Sequence, residues 1–293
     1  MAAFAKSTFS HATYAAIRPS YPKRLYDTVL SFHQGPRNLC VDLGCGHGVV
    51  TRQLAPSFKR VVGIDPSKGM IQEAQKSTPN DQYPNVEFRD ASCEDMPFLE
   101  MDGVDIVVAG QAAHWFDHPR LFKELGRVVR KGGSLAFWGY KDQDLVDYPR
   151  ATEIIYRYTC GTTGDTLGPY WGQPGRSIVQ HRYKDIKPPE KEWEAITRLE
   201  YEPGKEGPRT GRGTMFLNKR STIAQCKEFV RTWSSYHGWQ QAHQDLVARN
   251  KGGKGDIADT MFDEIAEAEP ELANEEKEVE VEWGSGLVMA RKA

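Results

Sequence analysis

Residues 41–54, VDLGCGHGVVTRQL, change character in the middle. Val41 and Leu43 have the spacing of a buried strand, glycines follow at 44, 46 and 48, and Val49, Val50 and Leu54 then keep a helical rhythm. Glycine reaches positive φ without penalty and has no Cβ, so three of them between a strand and a helix predict a turn against which something packs closely. A strand that turns straight into a helix is also the first half of a strand–helix–strand unit, which restricts the fold to parallel-sheet architectures.

The rest of the first half fits that restriction. NLCVDL, KRVVGID, NVEFRD, VDIVVAG and GSLAFWGY read as five strands between residues 38 and 140. GHGVVTRQLAPSF, PSKGMIQEAQKS and DHPRLFKELGRVVR read as helices between them, with Pro66 near the first turn of the second. The expected fold class is α/β, a doubly wound Rossmann-like sheet that is mostly parallel. Past residue 140 the pattern is less regular. A helix is expected near 149–159, a strand at EWEAITRLEYEP, one long helix through TIAQCKEFVRTWSSYHGW and another at DIADTMFDEIAEAE. VEVEWGSGLVMARK alternates like a bulged or hairpin-like edge strand, antiparallel to the rest. With no repeat and no sharp linker, one domain over 1–293 is expected: a core at 38–140, helices and a strand at 141–278 lidding the sheet's ligand edge, and a terminal strand at 279–293.

A formal charge of −2 gives no broad field to draw in nucleic-acid phosphates, and no apolar run reaches a membrane span. Neither nucleic acid nor membrane is expected as a partner. Five cysteines without a CxxC pair suggest neither a disulfide framework nor zinc, and no metal is expected. The residues before Asp27 are free of acids, a composition that also suits a transit peptide, but RPSYP follows directly as folded protein does; a cytoplasmic location is expected. Twelve acids between Asp256 and Glu282 against Lys277 alone read as a solvated helix face and an outer strand face. PGKEGPRTGRG, 203–213, reads as a mobile loop, with an anion-binding lid as the alternative.

In open parallel sheets the ligand sits beyond the carboxyl ends of the strands, where the glycine turn stands. Asp65 ends the second strand 21 residues after Gly44, placed to accept from both hydroxyls of a ribose. The spacing is GxGxG rather than the GxGxxG of dinucleotide sites, and Asp42 stands two residues before it. An acid there repels a diphosphate and suits an ammonium group, which favours S-adenosyl-L-methionine over a nicotinamide cofactor. Local capping by Asp42, an N-cap role for Asp65 and core packing of Met70 are the structural alternatives. Cys40 and Cys45 read as small buried residues.

VDLGCGHG, VVGIDPSKGMI, FRDASCEDMPF, DIVVAGQAAHWFD and GRVVRKGGSLAFWGY, in this order over 38–140, resemble class I S-adenosylmethionine-dependent methyltransferases of the small-molecule kind. YAAIRPSYP, TWSSYHGW and VEWGSGLVMARK extend the resemblance to fungal trans-aconitate methyltransferases over nearly the whole chain. The resemblance implies that Asp42 with the backbone of Gly44 and Gly46 holds the methionine moiety and Asp65 the ribose. It implies that Met70 lies on the adenine, that Asp90 and the Ala91 N–H meet its edge, and that Gln111 touches the methionine end. Arg89 and Ser92-Cys93 depart from the family pattern, and AGQAAHW stands where base-methylating relatives carry Asn/Asp-Pro-Pro-Tyr.

The expected reaction is O-methylation of a small organic acid or related metabolite by in-line transfer. The alternatives are a cofactor-binding scaffold without turnover and a nicotinamide oxidoreductase. A carboxylate is already ionised at neutral pH and needs no base; for a hydroxyl acceptor His114 is the base candidate, with a pocket-wall histidine as its other reading. Tyr14, Tyr21, Trp115 and Trp138 are candidates to line the acceptor site, and Arg18 to pair with a carboxylate of cofactor or substrate. Trp233, Tyr236, His237 and Trp239 are candidates for a lid or for interior packing.

Overall fold

The computed structural model describes residue 18 and residues 20–293. Tyr14 lies outside the described residues. Helix α1 (Lys23–Phe32) leads into β1 (Leu39–Leu43), α2 (Val49–Leu54), β2 (Arg60–Asp65), α3 (Lys68–Lys76), β3 (Val86–Asp90), β4 (Val104–Gly110), α4 (His118–Val128) and β5 (Val129–Leu145). These five strands are parallel, in the order β3-β2-β1-β4-β5. The order reverses between β1 and β4, so their carboxyl ends open a crevice. Alternate residues of one strand serve opposite faces of the sheet. Cys40, Ile106, Val108 and Trp138 pack on one side, and Val41, Leu43, Val107 and Phe137 on the other.

The second half contributes α5 (Pro149–Cys160), α6 (Gly175–Gln180), β6 (Trp193–Glu202), β7 (Arg212–Gly213), β8 (Asn218–Thr222), α7 (Ile223–Arg231), α8 (Ser234–Ala242), α9 (Ile257–Ala268) and β9 (Glu278–Lys292). β9 runs antiparallel to β5 and continues the sheet to β6 and β7. Among the described residues no helix is long and apolar enough to cross a membrane.

Three sequence expectations are corrected here. β9 is an interior strand: β5 pairs along one side, and β6 and β8 share the other. Its polar-looking alternation misled because Glu282 is buried, accepting from Tyr201 Oη and from the Arg209 N–H, each at 2.6 Å. That second bond also ties the 203–213 segment to the sheet. The long helix expected over TIAQCKEFVRTWSSYHGW is broken into α7 and α8. Thr232 Oγ1 donates back to Phe229 O at 2.6 Å, and Trp233 is extended, at φ −75° and ψ 146°. Such back-bonding by threonine competes with helix continuation. The acidic stretch is not simply a solvated face. Asp256 and Asp259 are buried against Arg231, with Asp256 Oδ2 2.8 Å from Arg231 Nε and Asp259 Oδ2 2.9 Å from its Nη2.

β5 also runs past its expected end. Tyr140 pairs with Ser285 and Gln143 with Trp283, so Lys141 and Asp142 together oppose Gly284 in a bulge. A bulge re-aims the side chains it carries, and here it sits beside the crevice.

Candidate active site

A cavity of about 510 Å³ lies at the carboxyl ends of β1 to β4. Its floor is the glycine turn. Gly44 has φ +66°, and a Cβ on it would stand 2.6 Å from Ala112 Cβ. Gly46 has φ +53°, and a Cβ there would have only Met70 Sδ, at 4.0 Å, within reach. Gly44 is therefore required by packing, whereas Gly46 keeps a stretch of backbone bare beside Met70 in the cavity wall.

Asp65 ends β2 in the same wall. Its Oδ2 accepts from Gly46 N at 3.0 Å and its Oδ1 from Ser67 N at 2.8 Å. Burial pushes its pKa up, against the pull of those two N–H groups. Each oxygen keeps lone-pair capacity for a further donor, which is what a vicinal diol requires. Met70, buried on α3, is placed by the Ser67 cap, whose Oγ accepts from Met70 N at 3.4 Å. Ala91 lines the cavity too, but its N–H is directed at Asp65 O, 3.3 Å away. Asp90 is exposed, its carboxylate 4.0 Å from Lys68 Nζ, and does not belong to the cavity wall. Cys45 is in the wall, its thiol pushed well up by burial and the nearby acids; Cys40 is core.

Asp42 lies behind the turn rather than on the cavity surface. Oδ2 accepts from Thr51 Oγ1 at 2.6 Å, while Oδ1 is buried without a hydrogen-bond partner. Burial first, and the Asp65 charge in addition, push its pKa up to about 7. A buried acceptor left unsatisfied is costly, and a cation nearby would relieve it. The orphaned oxygen, the bare backbone at Gly46 and the diol-ready Asp65 all fit S-adenosylmethionine.

Gln111 sits between two chambers and serves the backbone. At φ +55°, its N–H donates to Trp138 O at 2.8 Å, its Nε2 to Tyr140 O at 2.9 Å, and its Oε1 accepts from Tyr140 N at 2.7 Å. Its side chain thus extends the β4–β5 pairing by one residue.

The second chamber, about 60 Å³, shares Arg18, Gln111, Trp115 and Tyr140 with the large cavity. His114, Lys141, Asp142, Trp171, Arg176 and Trp233 also line it. Arg18 Nη1 donates to Tyr140 Oη at 3.2 Å and Nη2 to Thr232 O at 2.9 Å. Lys141 pairs with Glu202 at 2.7 Å. Arg176 is bound by both oxygens of Asp142, with Nη1 2.8 Å from Oδ1, and its guanidinium stacks 4.1 Å from the Trp171 ring centre. Although burial opposes it, Arg176 holds the Asp142 carboxyl below the usual range. His114 Nδ1 lies 3.1 Å from Tyr183 Oη. Burial, and after it Arg18, Arg176 and His118, push the His114 pKa down to about 3, so its imidazole is neutral at physiological pH.

Of the other sequence candidates, Tyr21 lines the large cavity and meets Trp138 edge-on at 5.5 Å. Trp138, Tyr236 and Trp239 are core. His237 packs beside the Tyr236 ring and is not a lining residue of either chamber. Tyr140, Lys141, Asp142, Trp171 and Arg176 were missed. A bulge leaves no mark in an alternating pattern, and Trp171 and Arg176 lie in a Gly/Pro-rich stretch that reads only as loop.

The sequence pattern described as "Methyltransferase domain" matches residues 41–137. The chain is 31% identical to a "Probable S-adenosylmethionine-dependent methyltransferase" of Saccharomyces cerevisiae, over 99% of this chain and 98% of that one. It is 31% identical to a "Malonyl-[acyl-carrier protein] O-methyltransferase" of Legionella pneumophila, over 46% of this chain and 47% of the other. Among solved structures, a "Putative Type II Methyltransferase" of Anaeromyxobacter dehalogenans superposes with a TM-score of 0.66 at 26% identity, over 94% of this chain and 97% of that one.

Proposed function

This chain belongs to the class I S-adenosylmethionine-dependent methyltransferases, and we propose that it methylates a carboxylate oxygen of a small organic acid. The observation that carries the acceptor class is the state of the second chamber: Arg18 and Arg176 help to hold His114 neutral with a pKa near 3. Burial is the largest cause of that shift and disfavours any charge, but the share that Arg18 and Arg176 add is a positive field, and that share favours an anion. A base that weak is poorly matched to removing a hydroxyl proton at neutral pH. A carboxylate meets both conditions, since it arrives charged and has no proton to lose.

When bound, S-adenosylmethionine supplies an electrophilic methyl group on a sulfonium. In this reading Asp65 grips the ribose, Asp42 balances the cationic amino-acid end through the glycine turn, and Met70 covers the adenine. Arg18 and Tyr140, at the junction of the two chambers, hold the acceptor oxygen toward the large cavity. Gln111 fixes Tyr140 by both of its backbone groups. Such positioning supplies roughly 7–11 kcal/mol of a displacement barrier when the reacting atoms are held in near-attack geometry. The Legionella relative is an O-methyltransferase by name, and the sequence resemblance to fungal trans-aconitate methyltransferases points to the same bond. Cytoplasmic small-molecule metabolism suits the near-neutral charge.

The test is incubation with S-adenosylmethionine deuterated at its methyl group and a panel of small monocarboxylic acids, polycarboxylic acids and phenols, read by mass spectrometry. A deuterated methyl ester is expected. Label confined to phenols, or in no product, contradicts the proposal.

A further inference from the structure

The second chamber has a composition that the acid reading alone does not require. Three indoles, Trp115, Trp171 and Trp233, line it with the Tyr140 phenol. Trp171 and Trp233 stand with ring centres 5.8 Å apart, and Trp171 Nε1 donates to Thr159 O at 2.9 Å. The six-membered ring of Trp115 closes over Gly172, where even a Cβ would come within 3.1 Å of it. A volume of about 60 Å³ is room for roughly two waters at about 30 Å³ each, the space of a short alkyl chain; a ring fits by extending past Trp115, which lines both chambers, into the large cavity.

Arg176 and Lys141 of the wall are each paired with a carboxylate. Both oxygens of Asp142 bind Arg176, and Gln180 Nε2 adds a third donor to Asp142 at 3.2 Å. Lys141 faces Glu202. An acceptor with a second carboxylate would have to displace Asp142 from its bidentate pair or lie against it, and a like charge at that distance is repelled. An apolar group meets aromatic faces instead.

We propose that the second chamber selects acids with one carboxylate and a flat or unbranched apolar body, the carboxylate at the Arg18–Tyr140 junction and the body between Trp115 and Trp171. The inference rests on the acid-methylating reading above and narrows its substrate class.

The experiment titrates the protein saturated with S-adenosylhomocysteine with phenylacetate, hexanoate and tricarballylate, following tryptophan fluorescence and calorimetric heat. Phenylacetate or hexanoate is expected to bind at least tenfold more tightly than tricarballylate. Trp115→Ala, which removes a half-exposed side chain, is expected to weaken the apolar acids about tenfold and leave tricarballylate within twofold. Trp171→Leu is expected to act in the same direction, and the Trp115 variant carries the test if loss of the Arg176 stack unfolds the chain. Equal or tighter binding of tricarballylate, no binding of either apolar acid, or indifference to Trp115→Ala overturns the inference. The two readings fail separately. Apolar acids that bind in this pattern yet receive no methyl group refute the function and leave the chamber assignment standing. Methylated polycarboxylates that bind more tightly do the reverse.

Discussion

The Gly46 N–H donates to Asp65 Oδ2 at 3.0 Å, joining the turn after β1 to the end of β2 beside the crevice. With Ser67 N on the other oxygen at 2.8 Å, the carboxylate is oriented from two elements before any ligand arrives. Preorganisation of this kind lowers the cost of binding.

The two glycines of this turn do different work, which substitution separates. Gly44→Ala combines a left-handed residue with a 2.6 Å approach to Ala112 Cβ and is expected to lower stability by more than about 2 kcal/mol. Gly46→Ala has the left-handed penalty of about 1–2 kcal/mol without a clash, and its methyl occupies the bare wall beside Met70. It is expected to weaken S-adenosylmethionine at least tenfold while the chain stays folded. Urea midpoints and calorimetric affinities check the pair; equal effects on both quantities at both sites contradict the distinction.

Asp42 makes stability depend on pH. Its pKa rises from the ordinary carboxylate range to about 7 on folding, chiefly through burial. Between about pH 4 and 7 the folded chain therefore binds more protons than the unfolded one, so this group's contribution falls as pH rises. Asp144, half-buried and also raised to about 7, chiefly by desolvation, adds a similar slope. Asp42→Asn is expected to flatten part of the decline in urea midpoint between pH 5 and 8. The same pH dependence in variant and parent contradicts the assignment.

Turnover should show no histidine limb. With the His114 pKa near 3, kcat at saturating acid and cofactor is expected to be flat from pH 6 to 8, and His114→Asn to lower it by less than about tenfold. General-base catalysis contributes 10²–10⁴-fold, so a loss in that range, or a limb near pH 6.5, contradicts carboxylate acceptance.

The helices beside the second chamber are held by a buried ion pair. Asp256 binds Arg231 Nε at 2.8 Å and Nη2 at 3.0 Å and accepts from Tyr236 Oη at 2.6 Å. Asp256→Ala leaves the guanidinium buried with part of its partners gone, a loss expected to cost about 3–5 kcal/mol in urea denaturation. A change under about 1 kcal/mol contradicts that account.

The parallel half of the fold and the crevice were legible in the sequence because each depends on local pattern: strand alternation, helical spacing, glycines at 44, 46 and 48 and an acid at 65. Asp42 was legible as a special residue, but not its place behind the turn with Thr51 on one oxygen. The second half was less legible because its determinants are long-range. Nothing local shows that Glu282 finds Tyr201, that Asp256 and Asp259 find Arg231, or that two residues of β5 bulge opposite Gly284. The resemblance implies Gln111 as a cofactor contact, and Gln111 does line the cavity, but only the folded chain shows its amide paired with the Tyr140 backbone.

The most direct test of the account is calorimetric titration of S-adenosylmethionine into the parent protein and Asp65→Ala, with thermal unfolding of both. The account predicts saturable one-to-one binding by the parent, and at least tenfold weaker binding by a variant that still unfolds cooperatively. Unchanged affinity in Asp65→Ala, or a parent that does not bind S-adenosylmethionine, would contradict it.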